Sequence, residues 1–205
     1  MDRRDLLPPG LGGPLTPGEE RLTKCAASGE WWKPEIPTGV GFDSDPAKAS
    51  TWPKECKVRA EVIYCLLTGV PWEKGSDIWS VHPKGLQLLN AYIDGKLDLE
   101  GCYLLASFWL HSSKVVGNVI LMDATTRTVS FRRSHIQALN AERSTVEGAL
   151  HLQGLHANQG VNLRSAYIRG QLACAGALLA NENGAALNGG EQLVDVAQQN
   201  VGSAL

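Results

Sequence analysis

The chain has 205 residues, 43% of them apolar and 20% charged, which is enough apolar material for one sizeable core and too much for wholesale disorder. Its 19 basic and 21 acidic side chains leave a formal charge of -2, which argues against a strongly basic phosphate-backbone binder and equally against an acidic decoy of DNA. No apolar run reaches the roughly 18 residues of a membrane span. Five cysteines (25, 56, 65, 102 and 174), an odd number without metal-type spacing, point to reduced thiols in a cytoplasmic protein.

In chain order, residues 1–15 read as a flexible leader, too short and too broken by Pro8-Pro9-Gly10 for a signal peptide. Thr16-Pro17-Gly18-Glu19 is a capping box with proline at the first helical position, so the spacing predicts a helix over about 17–28. Residues 29–53 are irregular and rich in Pro, Trp, Asp and Gly. A second helix is predicted over about 54–68, with Val58, Val62, Cys65 and Leu66 on one face and Gly69 as its stop. Residues 70–84 form a loop carrying Trp72 and Trp79, and 16–84 together make an N-terminal cap.

The punctuation then changes. All ten prolines lie at or before Pro83 and five of six tryptophans at or before Trp79. A long proline-free stretch is what a continuous hydrogen-bonded ladder requires, because proline lacks the backbone donor. Residues 85–104 and 160–179 are identical at nine of twenty positions, and both contain Ala-Tyr-Ile-x-Gly-x-Leu. The unit apolar-x-apolar-x-x-small-x-apolar-x-Gly/small starts at Leu86, Leu97, Phe108, Val119, Val129, Leu139, Leu150, Val161 and Leu172. Chance alternation in an antiparallel sheet would not hold phase over nine units, and a leucine-rich repeat would need an Asn ladder and a helical return. The unit therefore predicts a mainly β solenoid over 85–182. Two units close one four-sided coil of about 22 residues, giving 4–5 coils stacked at about 4.8 Å. Glycines 95, 117, 148 and 170 are taken as its corners, where φ is unusual. Residues 183–205 do not resume the pattern and read as a tail.

Ala91-Tyr92-Ile93, Ser134-His135-Ile136, Ser144-Thr145-Val146 and Ala166-Tyr167-Ile168 resemble the pentapeptide-repeat family, which implies a right-handed quadrilateral β-helix. The units of 10–11 residues depart from that family's uniform ten. A closer likeness is carried by Arg59-Ala60-Glu61-Val62, Val81-His82-Pro83-Lys84-Gly85 and Gly95-Lys96-Leu97-Asp98-Leu99. These resemble bacterial proteins labelled membrane-associated oxidoreductases, over about residues 16–182. Those proteins are longer, so the resemblance implies a shortened member with an unrelated or disordered tail.

The oxidoreductase label implies a cofactor, yet the sequence has no Gly-x-Gly-x-x-Gly after a strand, no Cys-x-x-Cys and no phosphate loop. No cofactor and no metal are expected. Cys102 and Cys174 fall at inward repeat positions and read as structural thiols. His151 and His156 converge on one edge without a carboxylate or thiolate to complete a ligand set. Asp94, Asp98 and Glu100 occupy outward positions, as catalytic carboxylates do in parallel β-helix lyases, although solvated charge explains them more simply. Arg127, Arg132, Arg133 and Arg143 suggest a local basic stripe without the aromatics of a single-strand binder.

The expected function is a noncatalytic scaffold that recognises or inhibits a partner protein. Pentapeptide-type relatives imply a nucleic-acid enzyme as that partner, and a mobile-element inhibitor is one such version. The expected contact residues are Tyr92, Asp94, His111, Arg132, Arg133, His135, Arg143, Tyr167 and Arg169. The N-terminal helices should cover the first coil, and the last coil, lacking a cap, should form a homodimer or receive a partner. The rival expectation is an oxidoreductase or a carbohydrate-acting enzyme.

Overall fold

The computed structural model describes residues 13–73, 77–180 and 187–189. The repeat closes into a parallel β-solenoid with four sides. The first face stacks Leu86–Leu89, Phe108–His111, Val129–Ser130, Leu150–His151 and Leu172–Ala173. The second stacks Lys57–Arg59, Tyr92–Asp94, Lys114–Val115, His135–Ile136, His156–Ala157 and Leu178–Leu179. The third stacks Leu97–Asp98, Val119–Ile120, Leu139–Asn140, Val161–Leu163 and Leu187–Gly189. The fourth stacks Thr125–Thr126, Thr145–Val146 and Tyr167–Ile168, with Tyr103 bridging to Thr125.

Leu86, Phe108, Val129, Leu150 and Leu172 pair in register down the first face, so successive coils are 22, 21, 21 and 22 residues long. Alternation sends every second side chain inward. Leu88, Leu110, Phe131 and Leu152 make one fully buried column, and Ile93, Val115 and Ile136 another. The column is capped at its N-terminal end by Trp32, Val58, Val62, Ile63 and Leu66, all fully buried.

The corners differ from the sequence expectation. Of glycines 95, 117, 148 and 170, only Gly95 has a positive φ. The regular left-handed corners are instead Asn90, Gly101, Ser112, Asp123, Arg133, Arg143, Gly154, Ser165 and Gly176, each directly before the small position of its unit, and Gly85 and Gly160 have positive φ outside that series. A turn bond closes seven of these corners, as where the Ser134 amide donates to Phe131 O at 3.2 Å. Gly117 and Gly170 serve close approach rather than φ. A Cβ at Gly170 would stand 2.7 Å from Gly148 O, and one at Gly117 2.9 Å from Lys96 Cα, because successive coils nearly touch there.

The first helix, α1 (Pro17–Ser28), has the predicted bounds and capping box. The second, α2, covers only Ala60–Thr68. Lys54–Cys56 is a 3-10 turn and Lys57–Arg59 a strand that pairs in parallel with Tyr92–Asp94. Val58 does reach the core, stacked on Ile93 as a strand residue rather than on a helix face. An unpaired sheet edge leaves backbone donors and acceptors unsatisfied, and that demand outweighs local helix periodicity.

The cap closes all four sides of the first coil. On the first face Trp32 N donates to Gln87 O at 2.9 Å, and Leu89 N to Trp32 O at 3.0 Å. Lys57–Arg59 covers the second face, α2 lies against Leu97–Asp98 on the third, and Leu105 N donates to Leu67 O at 2.9 Å on the fourth. At the other end the pattern resumes once more than expected. Leu187–Gly189 pairs with Val161–Leu163, so part of the presumed tail belongs to the solenoid. The rest of that tail, and the leader up to residue 12, lie outside the described residues. Among the described residues no helix is long and apolar enough to cross a membrane.

Candidate functional site

Down the first face, register stacks the outward residues Gln87, Trp109, Ser130 and His151, and beside them Leu89 over His111. Trp109 and His151 lie on either side of the small Ser130, and their rings lean together over it, 6.2 Å apart and nearly parallel. Ser130 is therefore fully buried although its side chain points away from the core. Its hydroxyl lies 2.9 Å from His111 Nε2. Trp31, supplied by the cap, packs on His111 at 4.9 Å and stays 37% exposed.

Below this aromatic row a groove of about 440 Å³ is lined by Leu89, His111, Ser112, Arg132, Arg133 and Gln153. Arg132 Nε donates to Gln153 Oε1 at 3.1 Å, which fixes one edge of its guanidinium. Burial, with smaller contributions from Arg132, His151 and Arg133, pushes the His111 pKa down to about 4. His151 is lowered too, by burial and then by Arg132. Both imidazoles are neutral at physiological pH, so the positive charge of the groove resides on the two arginines.

The nine expected contact residues are spread around the solenoid. His111, Arg132 and Arg133 meet in the groove. His135 lies on the second face, stacked on His156 at 4.2 Å. Tyr92 is half-buried against Ala49, Trp52 and Cys56 of the cap, with the Lys57 ammonium 5.4 Å from its ring. Asp94 ends the second-face strand beside Arg59. Arg143, at the corner before the fourth face, grips Asp123 with two bonds of 2.8 and 2.7 Å. Tyr167 is 57% exposed on the fourth face, and Arg169 pairs with Glu147 at 2.7 Å.

The four arginines do not form one stripe, because Arg127 follows a fourth-face strand and Arg143 is engaged by Asp123. Nor do His151 and His156 converge, since they stack on Trp109 and His135 on different faces. Trp31, Trp109, Ser130, His151 and Gln153 belong to the site without having been singled out for it by the sequence.

The cysteines divide by depth. Cys174 is buried and its thiol pushed up to about 11, while Cys56 and Cys65 rise to about 11 and about 12, all through burial. Cys102 is only half-buried and lines a hollow with Tyr64, Glu61, Lys96, Asp98 and Glu100. In that hollow Asp98 is paired with Lys96 at 2.7 Å. Among the described residues no three His, Cys, Asp or Glu side chains gather as a metal site would require. No family model, no curated protein and no solved structure matches this chain.

Proposed function

We propose that this protein is a binding scaffold, a capped β-solenoid that recognises another protein through the groove of its first face. The observation that carries the reading is the pair Arg132 and Arg133. Both are exposed, they are adjacent in sequence and line one groove, and among the described residues neither has a carboxylate partner; Arg127 and Arg164 also lack one but stand apart from each other, and Arg21, Arg59, Arg143 and Arg169 are each paired. Neighbouring like charges repel, and an oppositely charged partner relieves that cost. The groove is also framed by Trp31 and Trp109, and interface anchors are enriched in Trp and Arg. Trp109 is held on a paired strand, and the two arginines sit on a corner closed by the bond from Ser134 N to Phe131 O, so little backbone ordering remains for binding. A pentapeptide-repeat-like mode of action, in which the solenoid occupies a surface of a nucleic-acid enzyme, is the finer form of this reading.

Affinity capture from the source cells tests it, using wild type, Arg132→Glu/Arg133→Glu and a fourth-face control, Thr125→Arg/Thr145→Arg. The expected result is a partner retained by wild type and the control and lost from the charge-reversed variant. If no version retains any protein, the scaffold reading fails. The last coil is the second surface in this proposal. Leu178 is 58% exposed there, and self-association through that end should be abolished by Leu178→Asp.

A further inference from the structure

Two arginines on this solenoid show how a guanidinium meets a carboxylate across coils. Arg143 closes on Asp123, and Arg169 on Glu147, each reaching a residue one coil back. The groove offers no such carboxylate. Arg132 has His111 one coil back and Gln153 one coil on, and Arg133 has Ser112 and Gly154. None of these is acidic. Gln153 takes only the Nε of Arg132, so its two terminal nitrogens keep their donors, and the guanidinium of Arg133 makes no hydrogen bond among the described residues. A guanidinium held along one edge with its fork free suits bidentate capture of a carboxylate.

We infer that the groove seats an acidic, extended segment of the partner protein, whose Asp or Glu carboxylates take the places that Asp123 and Glu147 fill elsewhere on the solenoid. This rests on the scaffold reading and names the chemistry of its partner. The flanks favour a peptide over a free anion. Leu89 lines the groove, and Trp31, more than a third exposed, packs on its His111 wall, so apolar side chains between the carboxylates have surface to cover. A nucleic-acid strand is disfavoured by charge. It needs a track of cations for successive phosphates, whereas Arg127 and Arg143 lie on other parts of the coil and the chain's formal charge is -2.

The test uses the full chain and a short fluorescent peptide alternating Glu with Leu. An oligothymidylate of equal charge and inorganic phosphate serve as rival probes. Anisotropy titrations at low and physiological salt should show salt-sensitive peptide binding, weakened at least about tenfold in Arg132→Gln/Arg133→Gln. Gln153→Glu, which supplies the missing carboxylate from within the chain, should weaken it as well while thermal melts stay at or above the wild-type value. Unchanged peptide affinity in the double variant overturns the inference. So does tighter binding of the oligonucleotide, or displacement of the peptide by phosphate alone at equal charge concentration. A cellular partner captured equally by wild type and by the double variant overturns the groove assignment but leaves the scaffold standing. Salt-sensitive peptide binding with no captured partner supports the groove and counts against the scaffold.

Discussion

At the scale of single residues, the first face trades solvation for position. His111 is held by Ser130 below and Trp31 above, and its depressed pKa makes it a pH-dependent element of stability. The unfolded chain binds a proton at His111 near pH 6.5, the folded chain only near pH 4. Stability is therefore complete above pH 6.5 and falls as the pH drops toward 4, because the unfolded state then binds more protons. His135 and His151, also lowered by burial, act in the same direction. Allowing for solvent screening, His111 should contribute a loss of about 1 kcal/mol between pH 7 and pH 5, or about 2–4 °C in Tm. Thermal melts at the two values should show the drop, and His111→Gln should lessen it. An identical drop in that variant would move the effect to the other histidines. Of the site residues, Arg132, Arg133 and His111 were legible because they occupy outward places in a regular unit. Trp109, Ser130 and His151 follow from the same 21–22-residue register, but only once the coil length is known. Trp31 was not legible at all, since it reaches His111 through docking of an irregular loop. The corners were hidden for another reason. Six of nine left-handed residues are Asn, Ser, Asp or Arg, and a search for glycine passes over them.

At the scale of elements, the cap is joined to itself by an ion pair whose carboxylate is buried and whose guanidinium is partly exposed. Glu19 completes the capping box of α1, with Thr16 N donating to Oε2 at 2.9 Å, and is almost fully buried. The Arg59 side chain holds both of its oxygens at 2.9 and 2.7 Å, and the Arg59 amide donates to Oε1 at 3.0 Å. Burial alone would raise the Glu19 pKa, and the hydrogen bonds from Arg59 and from the Thr16 amide hold it below the usual value. The pair thus joins the start of α1 to the strand that covers the second face. Arg59→Met would leave a carboxylate without its cation, at a cost of about 3 kcal/mol. The measurement is chemical denaturation near neutral pH, and a midpoint equal to that of wild type would show that the cap does not depend on the pair. The capping box was visible in Thr16-Pro17-Gly18-Glu19, and α1 has its predicted bounds. Arg59 as the partner was not visible, because the strand containing it read as part of a helix. Val58 and Val62 are spaced for a helix and are both buried, yet a strand turning into a helix places them in the same core.

At the scale of the whole molecule, each coil touches its neighbours and little else, so stability accumulates coil by coil. The coils between Phe108 and Ile168 have neighbours on both sides, and those after Leu172 have fewer described contacts. Native-state hydrogen exchange should be slowest at amides such as Val129, Ile136 and Leu139 and fastest in the solenoid near Leu178 and Leu179. Uniform protection from 86 to 179 would mean that the solenoid opens as one unit instead. The architecture was legible because nine units kept phase. The last strand was not legible because Leu187 pairs with Val161 across 26 residues, whereas the earlier steps on that face span 22, 20 and 22, and the added residues shift the period.

One end of this column has every side closed by Trp32, Lys57–Arg59, α2 and Leu67 O. Stacked β-structure with two sticky ends can polymerise without limit, as amyloid does. With one end sealed by its own chain, end-on growth has nowhere to continue after a single junction. Any end-to-end association must stop at two copies related by a twofold axis, and fibre formation would first require the N-terminal cover to detach.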